Sequence, residues 1–317
     1  MSAGAGARLE GAEAAAGSAA GSAPGSAAGS APGSATGSAP GPAAGSAPAA
    51  GRPGAAGRVA LVTGAGRGIG AAAVRELAAA GWSVVAFDRC ADDPALPYPL
   101  ATRAQLEAVR AACPRPERVA AVVGDVRSPD DLAAAVALAR ERFGGLDAAV
   151  AVAGVIGGGV PLWEMPDEQL AAVLDVNLAG VVAVARAALP ALLERPAPRS
   201  GRFVAVASAA ATRGMPGLAA YSAAKAGVAG LVRGLAADLR GTGVTANAVS
   251  PGSTAGPILD ESARLYDLPD ATAFAAQQTL ERLLEPAEIA RALAWLCSDA
   301  ASALTGAVVP VDGGLSL

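Results

Sequence analysis

The chain has 317 residues, a formal net charge of −4 and no histidine, a balance that argues against nucleic acid as the main partner and against a zinc site. Its three cysteines, Cys90, Cys113 and Cys297, form neither a metal-ligand pair nor a disulfide framework, and no run of the sequence approaches the apolar length needed to span a membrane. The expectation is a cytoplasmic protein with reduced, structural cysteines.

Residues 1–56 are almost wholly Gly, Ala, Ser and Pro in four-residue repeats such as Gly-Ser-Ala-Pro. Such a segment buries too little apolar surface to offset the entropy of ordering, so a flexible, disordered tail is expected. It has neither the basic start nor the Leu/Val-rich stretch of a signal peptide. Residues 57–317 then have the size of one α/β domain.

Arg58–Thr63 is a short apolar run ending in a glycine-rich turn and predicts a buried strand. A helical pattern follows from Gly68, with Ile69, Val74 and Leu77 on the inner face and Gly81 as its stop. Further strands are predicted at 83–88, 119–125, 147–153, 202–208, 245–250 and 307–311. Helices are predicted at 130–143, 167–194, 221–240 and 286–298, with a shorter one possible over 102–112. Continuous apolar strands alternating with helices imply a Rossmann-type, doubly wound parallel sheet covered on both faces. Between Asp88 and Asp125 lies an unusual insertion, Cys90-Ala-Asp-Asp-Pro-Ala-Leu-Pro-Tyr-Pro99, whose prolines preclude regular structure. Ordered loops of this length are often lids; the alternative is a neutral surface insertion.

The turn after the first strand reads Thr63-Gly64-Ala-Gly-Arg67-Gly68-Ile69-Gly70. Glycines there permit close approach of a pyrophosphate, and the following helix N-terminus favours its charge. Asp88 closes the second strand, where a carboxylate accepts ribose hydroxyls and repels a 2′-phosphate; this favours NAD over NADP. Arg67 and Arg89 are the two groups that could pair with such a phosphate instead.

Tyr221-Ser-Ala-Ala-Lys225 places the chain's single lysine four residues after one of its three tyrosines. Positions i and i+4 share a helix face, so the ammonium can stabilise a Tyr221 phenolate. Lowering the phenol by about three units takes about 4 kcal/mol, within reach of a close ammonium plus cofactor charge. Ser208 ends a predicted strand thirteen residues earlier and can hold a substrate oxygen. Asn177 sits in a predicted helix where a buried amide needs partners; it could fix a water that relays protons to Lys225.

Together these residues resemble the short-chain dehydrogenase/reductase family over essentially all of 57–317. The resemblance implies that Tyr221 is the acid/base, that Lys225 lowers its pKa and binds the nicotinamide ribose, that Ser208 positions the substrate and that Asn177 orders a water. It implies adenine beside Asp125 and Val126, cofactor approach at Ala153 and Gly154, and nicotinamide carboxamide at the turn carrying Pro251, Gly252 and Thr254. Thr63 belongs to the same cofactor motif, and such domains are usually homotetramers or homodimers. Asp88-Arg-Cys-Ala-Asp-Asp-Pro, Tyr98-Pro-Leu-Ala-Thr102, Ala207-Ser-Ala-Ala-Ala211 and Leu296-Cys297 resemble the mycofactocin-coupled branch more narrowly. That implies NAD held under the insertion and mycofactocin as external electron acceptor.

Two positions depart from the family. The usual Asn-Asn-Ala-Gly is Ala151-Val152-Ala153-Gly154, which removes Asn bonds that brace the sheet, and Gly256 replaces a frequent threonine. The expected substrate is a lipophilic secondary alcohol or ketone, with a pocket of Val155, Ile156, Trp163, Met215, Pro216 and Leu218. The rivals are an NADPH-dependent 3-oxoacyl-carrier-protein reductase and a non-catalytic dinucleotide-sensing protein.

Overall fold

The computed structural model describes residues Gly57–Leu317; the segment 1–56, read above as a disordered tail, lies outside the described residues. Seven parallel strands form one sheet: β1 (Val59–Thr63), β2 (Ser83–Asp88), β3 (Val119–Val123), β4 (Ala148–Ala151), β5 (Arg202–Val206), β6 (Thr245–Pro251) and β7 (Val308–Val311). Their order is β3-β2-β1-β4-β5-β6-β7. This is the doubly wound Rossmann-type sheet that the alternation of runs predicts. The order reverses between β1 and β4, and the crevice at such a switch point is where open α/β sheets bind ligands.

Strand residues alternate between two apolar layers. Leu61, Val85 and Phe87 pack with α3 (Pro129–Phe143), α5 (Gly180–Leu193) and α6 (Ala219–Asp238). Ala60, Val62, Val84 and Ala86 pack on the other face with α1 (Gly68–Ala79), α2 (Arg103–Ala111) and α8 (Pro286–Cys297). Continuous burial on both faces is why these strands read as uninterrupted apolar runs.

Several boundaries differ from the expected ones, each for a local reason. β4 ends at Ala151 because the Thr63 hydroxyl accepts from both Val152 N and Ala153 N, at 3.2 Å each. That hydroxyl also braces the strand end that the missing asparagines would otherwise hold. β3 stops at Val123, and Gly124 N turns to the carbonyl of Asp88 at 2.9 Å. α6 begins two residues before Tyr221, at Ala219. The expected helix 167–194 is two helices, α4 (Asp167–Leu174) and α5, joined by a wider π-turn at Asp175–Ala179. There the Asn177 amide donates to the Val173 carbonyl at 2.8 Å, and Gly180 N reaches back to Asp175 O. π-turns of this kind mark functional positions more often than ordinary helix does.

The rod Asp167–Leu193 is long enough and, over its most apolar stretch, with mean hydropathy 1.8, apolar enough to cross a membrane, which corrects the expectation that no run is. Part of that apolarity is core: Val181, Val184, Ala185, Ala188 and Leu192 are buried in the layer that holds α3 and one face of the sheet. One further helix, α7 (Pro257–Leu265), and a 3-10 stretch at Ala271–Gln277 escaped the sequence reading.

Candidate active site

The C-terminal ends of the central strands open into one cavity, and most of the expected site residues line it. At the turn after β1, Gly64 has φ +67, and a Cβ there would lie 2.7 Å from the Cα of Ala153. Only glycine lets the turn sit so close to the end of β4. α1 then starts at Gly68 with no side-chain cap and no acid in its first turn. Its leading N–H groups and dipole therefore face the cavity at Gly68, Ile69 and Gly70, a donor set that fits a pyrophosphate.

Asp88, at the end of β2, lines the same cavity. One carboxylate oxygen accepts from Gly66 N at 2.9 Å and the other from Cys90 N at 3.0 Å. The carboxylate is thus fixed in place and keeps lone pairs for ribose hydroxyls.

The insertion folds back over this region. Asp93, buried at 5% exposure, accepts from Arg89 at 2.6 Å and from Arg127 at 3.0 Å. Asp125 pairs with Arg127 at 2.7 Å and with Arg89 at 3.3 Å. Burial alone would raise both carboxyls, but their hydrogen bonds and the two guanidinium groups outweigh it and hold them below the ordinary value. Arg67 donates to the Pro99 carbonyl at 2.9 Å, and the Tyr98 hydroxyl accepts from Ile156 N at 2.8 Å. The insertion is therefore a strap tied to Arg89 and Arg127 by Asp93, to the glycine turn by Pro99 and to the far wall by Tyr98. Val126, beside Asp125, is buried against Gly180 and lines the cavity.

Ser208 follows β5, while Tyr221 and Lys225 lie one turn apart on α6; all three line the cavity. Lys225 Nζ donates to the Val206 carbonyl at 2.9 Å and lies 5.7 Å from the centre of the Tyr221 ring. Burial pulls the Lys225 ammonium down to about 8. Burial also pushes the Tyr221 phenol above its ordinary value, against a lowering hydrogen bond from Ser208. The expected lowering of Tyr221 is thus not supplied by these protein groups alone. Desolvation of the phenolate wins until another positive charge sits beside it.

Asn177 is fully buried. Its amide nitrogen donates to the carbonyls of Val155 and Val173, both at 2.8 Å, and its oxygen accepts from Val155 N at 3.2 Å. Both amide hydrogens are taken by the chain, which leaves one lone pair of the oxygen, near Gly154, for a water. Thr63 is buried behind the cavity wall in its bracing role, away from the lining.

Pro251, Gly252 and Thr254 line the cavity past β6. The Thr254 hydroxyl donates back to Gly252 O at 3.1 Å and so stiffens the turn. Of the expected apolar pocket, Val155, Ile156, Met215 and Leu218 line it. Trp163 does not: it is 84% exposed. Pro216 stays outside too, its carbonyl accepting from the Tyr266 hydroxyl at 2.7 Å. The sequence reading missed Leu259, Ser262, Tyr266, Phe274 and Leu315, which complete this wall. Tyr266 and Phe274 meet edge to face at 6.0 Å. Their signal was available: with only three Tyr and four Phe in the chain, two aromatics eight residues apart behind Pro257 mark a packed segment.

The family model described as enoyl-(acyl carrier protein) reductase matches residues 64–316. An uncharacterized NAD-dependent oxidoreductase of Mycobacterium tuberculosis is 36% identical over 265 residues, covering 81% of this chain and 95% of its own length. Cis-4-hydroxycyclohexanecarboxylate dehydrogenase of Sinomonas cyclohexanicum is 40% identical over 259 residues, covering 81% of this chain and 96% of its own. The crystal structure of carveol dehydrogenase from Mycobacterium avium in complex with NAD superposes with a TM-score of 0.77 at 32% identity, covering 82% of this chain and 98% of that one. With the parallel sheet, the uncapped glycine turn and the Ser208–Tyr221–Lys225 group converging on one cavity, the chain belongs to the short-chain dehydrogenase/reductase family.

Proposed function

We propose that the chain is an NAD-dependent dehydrogenase that interconverts a neutral, lipophilic secondary alcohol and its ketone. The observation that carries this reading is the position of Ser208, Tyr221 and Lys225 where the polar and apolar parts of the cavity meet. The Gly64–Gly70 turn holds the pyrophosphate, Asp88 the adenosine ribose, and Asp125 with Val126 the adenine edge. Ala153 and Gly154 border the cofactor, Lys225 and Tyr221 the nicotinamide ribose, and Pro251, Gly252 and Thr254 the carboxamide. Bound NAD supplies the acceptor for the carbinol hydrogen, and its reduced form the donor in reverse.

In oxidation, Ser208 orients the alcohol oxygen and the Tyr221 oxygen takes its proton. Lys225, kept in place by the Val206 carbonyl, stabilises the phenolate. Asn177 holds the 155–156 wall through its backbone bonds and offers its remaining lone pair to a water. In reduction the phenol returns the proton to the same oxygen.

Beyond Tyr221 the lining is mostly apolar, with Ser262, Tyr266 and Gln277 as polar members and, among the described residues, no cationic side chain for a carboxylate, which favours a neutral substrate. The solved neighbour named for carveol agrees with this, while the relative named for cis-4-hydroxycyclohexanecarboxylate shares the cyclic alcohol but carries a charge. The NADPH-dependent 3-oxoacyl-carrier-protein reading rests on Arg67 and Arg89. Arg89 is engaged by Asp93 and Asp125, Arg67 reaches to Pro99, and Asp88 opposes a 2′-phosphate. The sensing-protein reading gives no reason for a buried Tyr221 and Lys225 pair.

The strap supports the narrower proposal that NAD stays bound beneath it and that mycofactocin takes the electrons. We place the protein in the cytoplasm as a homodimer or homotetramer, with the 1–56 segment as a tail dispensable for turnover. Mass spectrometry and absorbance of the supernatant from denatured protein test the trapped cofactor. NAD near one per chain, surviving dialysis, is expected. Empty protein that turns over free NAD with a lipophilic alcohol would keep the dehydrogenase and remove the mycofactocin coupling.

A further inference from the structure

We infer that Gln278 is a positioning residue for the nicotinamide end of the cofactor, acting through the 251–254 turn. It is 2% exposed and lies behind the cavity, so it touches neither cofactor nor substrate. Its amide nitrogen donates to two carbonyls, Ser253 O at 3.3 Å and Arg282 O at shorter range. One side chain thus ties the turn after β6 to the segment that precedes α8.

The backbone repeats the same connection. Leu284 N donates to Ser253 O at 2.9 Å, Ala255 N donates to Leu284 O at 2.8 Å, and Thr254 and Leu284 form a parallel bridge. The turn has a further tie on its other side, where Gly252 N donates to Val311 O at 3.2 Å. Besides the Thr254 hydroxyl inside the turn, Gln278 is the side chain that ties it to a distant segment, and it packs against Gly252. A Cβ on Gly252 would overlap the Gln278 amide oxygen, and one on Gly313 would come within 3.2 Å of it. Gly252 has no room for a Cβ between the Gln278 amide and the Asp312 carbonyl, and Gly313 adopts φ +61 beside the same side chain.

The arrangement carries a cost that identifies its purpose. The Gln278 amide oxygen is buried with no hydrogen-bond donor, and such an atom destabilises a fold. A methionine of similar length would fill the space without that cost but could not donate to the two carbonyls. The amide nitrogen is therefore the functional half of the side chain: it fixes the carbonyl of Ser253, and with it the register of Gly252 and Thr254 along the cavity wall.

This inference rests on the reading that the 251–254 turn holds the nicotinamide. The test is exchange of bound NAD for isotope-labelled NAD in the full-length protein, followed by mass spectrometry. Exchange of ADP-ribose, which lacks the nicotinamide, is measured in parallel. The unaltered protein should hold NAD longer than ADP-ribose. Gln278→Met should release NAD about tenfold faster, with ADP-ribose release within about twofold. The Gln278→Glu variant gives a second readout that survives any failure of the methionine variant to fold. Its carboxyl can donate while protonated and repels both carbonyls once ionised, so its NAD release should speed up as pH rises while ADP-ribose release stays flat. Equal effects on both nucleotides, or none on either, would overturn the inference and leave the nicotinamide reading standing. Equal retention of NAD and ADP-ribose by the unaltered protein would instead overturn the nicotinamide reading itself.

Discussion

The end of the cavity proposed for adenosine is lined by Arg67, Asp88, Arg89, Asp93 and Asp125, whereas beyond Tyr221 the walls include Ile156, Met215, Leu218, Leu259 and Phe274. At the first end, charge is locked inside the protein. Asp93 and Asp125 share Arg89 and Arg127, and Asp88 is held by two backbone N–H groups. At the second end, packing sets most of the shape, the charged group nearest to it is Lys225 at the boundary with Ser208 and Tyr221, and the polar side chains in the wall, Ser262, Tyr266 and Gln277, are neutral. Fixed dipoles and carboxylates suit recognition of one invariant molecule, while an apolar wall suits selection by shape.

Removing the proton carrier at the boundary should separate the two ends most sharply. Tyr221→Phe is expected to lower kcat for alcohol oxidation by about 10³-fold, because positioned acid/base groups contribute about 10²–10⁴. NAD retention should change little, since the variant keeps the ring and Lys225 still borders the nicotinamide ribose. A variant that keeps more than about a tenth of the activity would remove Tyr221 from the acid/base role.

The boundary also has an energetic signature in Lys225. Burial lowers its folded pKa from 10.5 to about 8, which corresponds to about 3 kcal/mol against the charged form. The unfolded chain therefore binds the proton more tightly than the folded one. That cost is fully present below pH 8 and disappears as pH rises toward 10.5. Lys225→Met should accordingly raise Tm by about 5 °C at pH 7 in thermal melts while abolishing most activity. The gain should shrink toward pH 10.5. A lowered Tm at pH 7 would show that the bond to Val206 O outweighs desolvation.

At the adenosine end, Asp88→Ser should weaken NAD by about 10- to 100-fold, the loss of one or two hydrogen bonds to a charged acceptor. NADP should improve only slightly, because Asp93 and Asp125 still hold Arg89. Adding Asp93→Ala leaves Arg89 paired with Asp125 alone and should improve NADP further, read from kcat/KM for the two cofactors. No additional gain from the second change would mean that Arg89 does not face the 2′-phosphate position.

The same contrast explains what was legible in the sequence. Gly64, Gly68, Gly70 and Asp88 are dictated by backbone geometry and charge at fixed spacing, so they stand out along the chain. Lys225, as the only lysine, stood out by rarity. The substrate wall could not be read the same way, because apolar side chains there look like any core residue. Trp163 is conspicuous by type yet 84% exposed, while Leu259 and Leu315 are inconspicuous and line the cavity. Thr63 was expected at the cofactor; its hydroxyl instead braces Val152 and Ala153, a contact across 89 and 90 positions that no local pattern carries. The π-turn at Asn177 was hidden for the opposite reason: one added residue in a turn does not disturb an alanine-rich helical pattern enough to register.

Tyr98 is where the two ends meet, and its variant should give the smallest effect. The strap carries it from the adenosine side to Ile156 N, on the substrate wall, at 2.8 Å. Tyr98→Phe keeps the ring but leaves that N–H without its acceptor, which costs about 1–3 kcal/mol when buried and less where the wall can relax. The alcohol KM should rise about three- to tenfold with kcat nearly unchanged, since neither Tyr221 nor Lys225 moves. Burial pushes the Tyr98 phenol up to about 12, so the ratio of KM values should stay flat from pH 6 to about pH 10. A ratio that varies over that range would mean the Tyr98 proton, and not its acceptor oxygen, is what the wall uses. An unchanged KM would mean that the strap is held by Asp93 and Arg67 alone and that the two ends of the cavity are independent.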